Sequence, residues 1–211
     1  MEENQNSTTP PSSSVATQQT SISLYDVESL REKYYDQPST CGIFFDNNTK
    51  KFWVNKKFDC NCFMIYARSF NIAWREDPRY WKWEKLEESS GTSIEVAELK
   101  GVSWLDVPGK LDTRYLSPGV LYGVSFHVKL ENSKSYDWSV KATLTLEGMK
   151  DQEHEMNFRE MLKDKWMEIP VGQFVAPDHD VEAREMEFRL WNLSGHWKEG
   201  LIVKGASIEP L

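Results

Sequence analysis

The sequence predicts an all-β protein, an antiparallel β-sandwich of jelly-roll-like type preceded by a disordered tail and a short helix. Most of the chain after residue 42 alternates apolar and polar residues with a period of two, which is typical of half-buried strands. Polar turns separate these segments, and there is no strand–helix–strand rhythm or internal repeat. We therefore expect a low-complexity tail (1–22), a short helix with a linker (23–41) and one sandwich domain (42–211).

The N-terminal part is expected to consist of a disordered tail and one helix. Residues 1–22 are rich in Ser, Thr, Gln and Pro, which predicts disorder. The segment SLYDVESLREKYY predicts an amphipathic helix capped by Ser23, because Leu24, Val27, Leu30 and Tyr34 recur at helical spacing. The chain begins without an apolar leader segment, so secretion by a signal peptide is not expected. Membrane insertion is not expected either, since no apolar run approaches the ~20 residues of a spanning helix.

Six segments carry the strand pattern. GIFFDNNTKKFWV predicts a hairpin around Asn47-Asn48. SIEVAELKGVSWLDV alternates through Val102 and Trp104, with a bend at Gly101. VLYGVSFHVKL, WSVKATLTL, REMEFRLWNL and GLIVKGASI complete the set. The charged segment MKDQEHEMNFREMLKDK lacks the pattern and is expected to form a long exposed loop with room for a helical turn.

Composition and motifs exclude several classes of function. A formal net charge of −8 argues against a protein whose main task is to grip phosphate backbones or anionic membranes. Because P-loop, nucleophile-elbow and zinc-protease motifs are missing, we predict that the protein is not an enzyme and needs no cofactor. A glycoside hydrolase would need only two suitably spaced carboxylates, but no pair is distinctive among 33 acidic residues.

The three cysteines, Cys41, Cys60 and Cys62, form a cluster in the sequence. No further cysteine or histidine at suitable spacing completes a zinc site, so no metal is expected. The thiols are either reduced in a cytosolic protein or available for disulfides between chains in an oxidising fluid. An internal Cys60–Cys62 bridge would be strained, because residues i and i+2 of a strand lie about 6.5–7 Å apart.

The segment WREDPRYWKWEKL places Trp74, Trp81 and Trp83 among seven charged residues. Because those charges need water, we expect that not all three indoles are buried, whereas Trp104 and Trp138 are expected in the core. Trp83 is assigned mainly to the core beneath the cluster, and the turn after Trp74 is expected to bring it close to Trp81. An exposed indole beside acids and amides suits the apolar face and hydroxyl rim of a sugar.

Three blocks together resemble the plant phloem lectins, namely the phloem-protein-two lectins and their Nictaba-type relatives. They are A-x-x-x-x-I-x-W followed by D-P-x-Y-W-x-W, the segment SIEVAELKGVSWLDVPGKL, and W-K-x-G-L-I-V-x-G near the C-terminus. The similarity covers about residues 42–211. It implies a β-sandwich lectin, commonly a homodimer, that binds N-acetylglucosamine oligomers such as chitooligosaccharides and N-glycan cores on glycoproteins. It also implies a cytoplasmic protein of companion cells and sieve-element sap that cross-links by disulfides to a filament protein.

The resemblance also implies site residues. The family's sugar-contacting tryptophans fall on Trp74 and Trp81, and its two acidic contact positions fall on Glu185 and Asn192. Asn192 is an amide here, which still offers a donor and an acceptor. The resulting hypothesis is a lectin in phloem defence or sealing. The alternative is a phloem interaction or transport protein that binds a filament partner or RNA, with sugar binding secondary; the acidic balance predicts weak RNA affinity.

Overall fold

The computed structural model of the chain describes residues 24–36, 42–132, 134, 136–178 and 184–211. The predicted disordered tail, the capping Ser23 and Cys41 lie outside the described residues. Helix α1 spans Leu24–Asp36. The strands that follow are β1 Ile43–Phe45, β2 Lys50–Asn55, β3 Cys60–Tyr66, β4 Trp81–Glu87, β5 Ser93–Leu99, β6 Leu105–Asp112, β7 Leu121–Leu130, β8 Ser139–Leu146, β9 Gln152–Asn157, β10 Met167–Val175, β11 Glu185–Asn192 and β12 Leu201–Pro210.

Two sheets of antiparallel strands face each other, which confirms the predicted sandwich. The larger sheet has the order β1-β2-β3-β12-β5-β4, and β7 also pairs with β12 while β10 pairs with β7. The smaller sheet has the order β6-β11-β8-β9. Phe126 of β7 and Phe188 of β11 meet between the sheets, with ring centroids 5.7 Å apart, and Phe70 packs 5.8 Å from each. This apolar layer holds the two sheets together because burial of large aromatic side chains dominates core energetics.

The charged segment after β8 does not form the expected loop. Its first part is the edge strand β9, which pairs with β8 from Gln152↔Leu144 to Asn157↔Ser139, and a short 3₁₀ turn follows at Phe158–Glu160. The expectation was wrong because most side chains of this edge strand are exposed, so burial imposes little alternation on its sequence. Strand β10 likewise has no counterpart among the predicted strands.

Helix α1 packs on the sandwich. Val27, Leu30 and Tyr34 are buried, as the predicted amphipathic spacing requires, and the Tyr34 ring lies 6.4 Å from that of Phe52 in β2. At the side of this contact, the Arg31 guanidinium donates to Asn61 Oδ1 at 2.7 Å. The apolar face of the helix therefore covers one side of β2.

Candidate functional site

Three tryptophans on separate loops are unusually exposed. Trp74, Trp104 and Trp197 have exposed fractions of 58%, 63% and 60%. Together with Tyr80, Val102 and Ser103 they line a shallow depression of about 320 Å³, here called the aromatic surface. Large apolar side chains that gather on a surface in this way typically mark a binding site.

Trp74 is presented by a constrained turn. Its backbone has a φ of +56°, a left-handed conformation that costs a non-glycine residue about 1–3 kcal/mol. The turn is closed by hydrogen bonds from Asp77 N to Trp74 O at 2.9 Å and from Tyr80 N to Asp77 O at 3.0 Å. As a result, the Trp74 and Tyr80 rings lie 5.5 Å apart at an angle of 42°. The strained backbone thus turns one indole outward against a second aromatic ring.

Trp83 supports this turn from below. Its Nε1 donates to Arg75 O at 2.7 Å, and the Arg68 guanidinium lies 4.4 Å from its ring centroid. The ring is half-buried and packs against the main core, which agrees with the role assigned to it from the sequence. Arg75 anchors the same loop by donating to Phe70 O at 3.0 Å.

Trp104 and Trp197 come together because their loops are paired. Val102 N donates to Lys198 O at 3.0 Å, and Lys198 N donates to Val102 O at 2.8 Å. The Trp197 indole lies directly over Gly101, where an added Cβ atom would lie within 2.6 Å of its Nε1. The expectation that Trp104 is a core residue was wrong, because the inward alternation stops at Val102 and Trp104 lies in the loop before β6. Trp138 is buried, as expected.

The four residues inferred from the resemblance are not brought together in this structure. Trp74 belongs to the aromatic surface, but Trp81 is only 3% exposed and packs in the main core. Glu185 and Asn192 are the first and last residues of β11, so they lie about 23 Å apart along the strand. A buried indole cannot stack on a sugar, which leaves Trp81 a supporting position beneath the surface.

Glu185 and Asn192 of β11 already have hydrogen-bond partners within the chain. Glu185 Oε1 accepts a hydrogen bond from Lys110 Nζ at 2.6 Å, and this bond raises the pKa of the Lys110 ammonium. Asn192 Nδ2 donates to Ser139 O at 2.6 Å, and its Oδ1 accepts from Ser194 N at 2.9 Å. Asn192 therefore holds the start of the loop that carries Trp197.

A polar groove of about 680 Å³ runs along the outer face of β6. It begins next to the aromatic surface, since Arg75 follows Trp74 and Asp106 lies two residues after Trp104. Asp106 forms a bidentate ion pair with Arg189, with oxygen–nitrogen distances of 2.5 and 2.8 Å. The groove is also lined by Asn47, Arg68, Asn71, Pro108, Lys110 and Glu187, among others. It thus offers hydrogen-bond donors and acceptors of both charges beside an aromatic platform.

The two cysteines within the described residues are inaccessible. Cys60 and Cys62 in β3 are fully buried free thiols, and burial raises the pKa of both. This corrects the expectation that all three thiols are candidates for bonds between chains, because a second folded chain cannot reach these two. Cys41, the third candidate, lies outside the described residues.

Within the described ranges, no three His, Cys, Asp or Glu side chains are grouped in a way that could hold a metal ion. Likewise, within those residues no helix has the length and apolar character to cross a membrane.

Comparison with known proteins places these features in context. The family model described as Phloem protein 2 matches residues 60–210. The chain is 41% identical over 175 residues to Protein PHLOEM PROTEIN 2-LIKE A1 of Arabidopsis thaliana, covering 80% of this chain and 70% of that protein. It is 38% identical over 191 residues to a protein of Luffa acutangula named Lectin, covering 90% and 88%. The solved structure of TmCBM61 in complex with beta-1,4-galactotriose matches with a TM-score of 0.42 and 10% identity, covering 69% of this chain and 91% of that one.

Proposed function

Because the chain belongs to the phloem protein 2 family, we propose that it is a lectin that binds N-acetylglucosamine oligomers at the aromatic surface. The observation that carries this proposal is the convergence of Trp74, Trp104 and Trp197 from three loops onto one depression. Its volume of about 320 Å³ lies within the roughly 300–1,000 Å³ of small-molecule sites. A relative of similar length is named Lectin, and we propose a binding role without catalysis.

The chemistry of the surface suits an acetamido sugar. The C–H face of a pyranose ring packs on an indole by dispersion and loss of hydrated apolar area. The indole Nε1 atoms and neighbouring backbone groups can hydrogen-bond to the hydroxyl and acetamido groups at the rim of the ring. Trp74 and Tyr80, inclined at 42°, present two differently oriented faces. This arrangement favours a sugar that uses both its apolar face and its edge.

We assign the binding of further sugar units to the polar groove. The chain leads from Trp104 into strand β6, along Asp106 and Pro108 to Lys110, a length of about 20 Å. Glu185, bonded to Lys110, lies at the far end of this path and would meet only a longer oligomer. In this proposal Asn192 supports the Trp197 loop rather than contacting the first sugar.

The proposal also covers the assembly of the protein and its location in the plant. A single exposed site of this kind binds weakly, and a homodimer with two sites would raise avidity for a polymeric glycan by about 10²–10⁴. Cys41 is the remaining candidate for a disulfide with a phloem filament protein, since Cys60 and Cys62 are buried. We propose that the protein acts in the cytoplasm of companion cells and in sieve-element sap, in defence or sealing.

The test is a titration of the intact chain with chitotriose, together with a glycan array. Trp74→Ala is expected to weaken chitotriose binding by about 1–3 kcal/mol, the range for loss of an aromatic anchor. Trp166→Ala is the matched control, because Trp166 is also partly exposed but lies beside Lys129, outside the aromatic surface. Equal affinity of both variants and the wild type would place the sugar site elsewhere, and absence of saturable binding by the wild type would refute the lectin proposal.

A further inference from the structure

The lysine after Trp197 is completely buried. Lys198 has no exposed surface and is among the largest fully buried side chains within the described ranges. Lysine is almost never buried in this way unless its ammonium group is fully partnered. Its position between two exposed tryptophan loops therefore needs an explanation.

The Lys198 ammonium uses all three of its donors on backbone carbonyls. It donates to Ser103 O at 2.6 Å, to Ser194 O at 2.8 Å and to His196 O at 2.8 Å. Ser103 immediately precedes Trp104, and His196 immediately precedes Trp197. One buried charge thus joins the two loops that present these tryptophans, in addition to the backbone pair between Val102 and Lys198.

Among the described residues, no carboxylate takes part in this arrangement. All three of the acceptors that the structure gives for the ammonium are main-chain oxygens, and the adjacent Glu199 is paired with Lys134 at 3.2 Å. Burial lowers the pKa of Lys198, in keeping with a cation held by carbonyl dipoles alone. An apolar side chain would leave three carbonyls without their donor, and a buried polar group without a partner is costly.

We propose that Lys198 is a positioning residue that holds Trp104 and Trp197 in the one relative arrangement that binds sugar. The proposal rests on the proposed function for its sugar-binding consequence, but the positioning itself concerns the free protein. The ammonium acts through the two loops and does not contact the sugar. Its tetrahedral donors set the spacing between carbonyls on the two loops, which a flexible contact between exposed indoles could not do.

The test compares Lys198→Met with Lys163→Met in the intact chain. Lys163 also donates to a carbonyl, Lys134 O at 2.6 Å, but it does not line the aromatic surface. For Lys198→Met we expect about tenfold or greater weakening of chitotriose binding and faster hydrogen exchange of the amides of Val102 and Lys198. The control variant is expected to match the wild type in both measurements.

A double-mutant cycle separates positioning from general destabilisation. If Lys198 acts through Trp197, the loss caused by Lys198→Met should shrink when Trp197 is already alanine, because coupled residues are not additive. An equal loss in both backgrounds would overturn the proposal. If Lys198→Met does not fold, Lys198→Gln, which keeps two N–H donors, replaces it in the same cycle.

The two proposals fail differently. If wild-type protein does not bind chitotriose, the proposed function is refuted. The positioning role is then tested by amide exchange alone, and unchanged exchange in the Lys198 variant would refute it. If wild-type protein binds sugar and the Lys198 variant has wild-type affinity and wild-type exchange, only the positioning role is refuted.

Discussion

Replacing Trp104 by alanine is expected to leave the fold intact and to weaken sugar binding. With 63% of its surface exposed, Trp104 leaves no core cavity when truncated, and exposed substitutions change stability by only about 0.5 kcal/mol. For a chain of this size that is a shift in Tm of about 2 °C or less. Loss of one indole from the platform is expected to cost about 1–3 kcal/mol of binding free energy, roughly a 5–150-fold increase in Kd.

Trp81→Ala is the counterpart that makes the comparison decisive. Trp81 is 3% exposed in the main core and pairs with Leu99 across β4 and β5. Its truncation is expected to cost about 3–5 kcal/mol of unfolding free energy, which lowers Tm by about 6–20 °C. Differential scanning calorimetry gives the stability of both variants, and titration with chitotriose well below Tm gives their affinities.

Two results would refute this reasoning. If Trp104→Ala lowers Tm as much as Trp81→Ala, the Trp104 indole belongs to the core and the aromatic surface does not exist as described. If Trp104→Ala is stable and binds chitotriose like the wild type while Trp74→Ala does not, Trp104 makes no contact with the sugar. Trp166→Ala serves again as the exposed-tryptophan control.

Three further outcomes are expected. Gly101→Ala should displace the Trp197 indole and weaken chitotriose binding without lowering Tm, as titration and calorimetry would show; unchanged binding would contradict the stacking of this ring in the site. Native protein should expose no β3 thiol to a thiol reagent, and Cys41→Ser should abolish covalent multimers on non-reducing gels of air-oxidised protein; multimers that persist would contradict Cys41 as their source. Burial lowers the pKa of His127, whose Nε2 lies 2.9 Å from Ser207 Oγ, with Glu168 opposing and Lys204 reinforcing the shift. The unfolded chain therefore binds a proton first as pH falls below about 6.5, so unfolding free energy should decrease there, and His127→Gln should flatten this slope in pH-dependent denaturation.

The strands that bury one face could be predicted from sequence. In β7 every second residue from Tyr122 to Leu130 is buried, and water imposes that alternation directly on the residue types. Strand β9 escaped prediction because its side chains are mostly exposed and its place depends on hydrogen bonds to β8. Helix α1 was predictable only in part. Its apolar spacing predicts a helix, whereas the surface that the helix covers is set by β2.

The candidate site likewise contains residues that could be predicted from the sequence and residues that could not. Trp74 could be expected at the surface from the charges around it, and the resemblance to phloem lectins gave the same residue. The sequence predicts a core position for Trp104 because Val102 and Trp104 continue the alternation of the preceding strand. For Trp197, the sequence around it indicates only that it belongs to the C-terminal block of the family resemblance. A signal for Trp197 was Gly101, whose missing side chain leaves room for the Trp197 ring.

The sequence by itself determined the class of fold, the helix before it and the family, because residue type and spacing encode which face of each segment meets water. Which tryptophans form a surface was decided only by tertiary structure. Trp74, Trp104 and Trp197 are far apart in the chain, and a backbone pair between Val102 and Lys198 together with three carbonyls around one ammonium brings two of their loops together. Such bonds join main-chain atoms, which every residue possesses, and for that reason the side-chain pattern of the sequence does not record them.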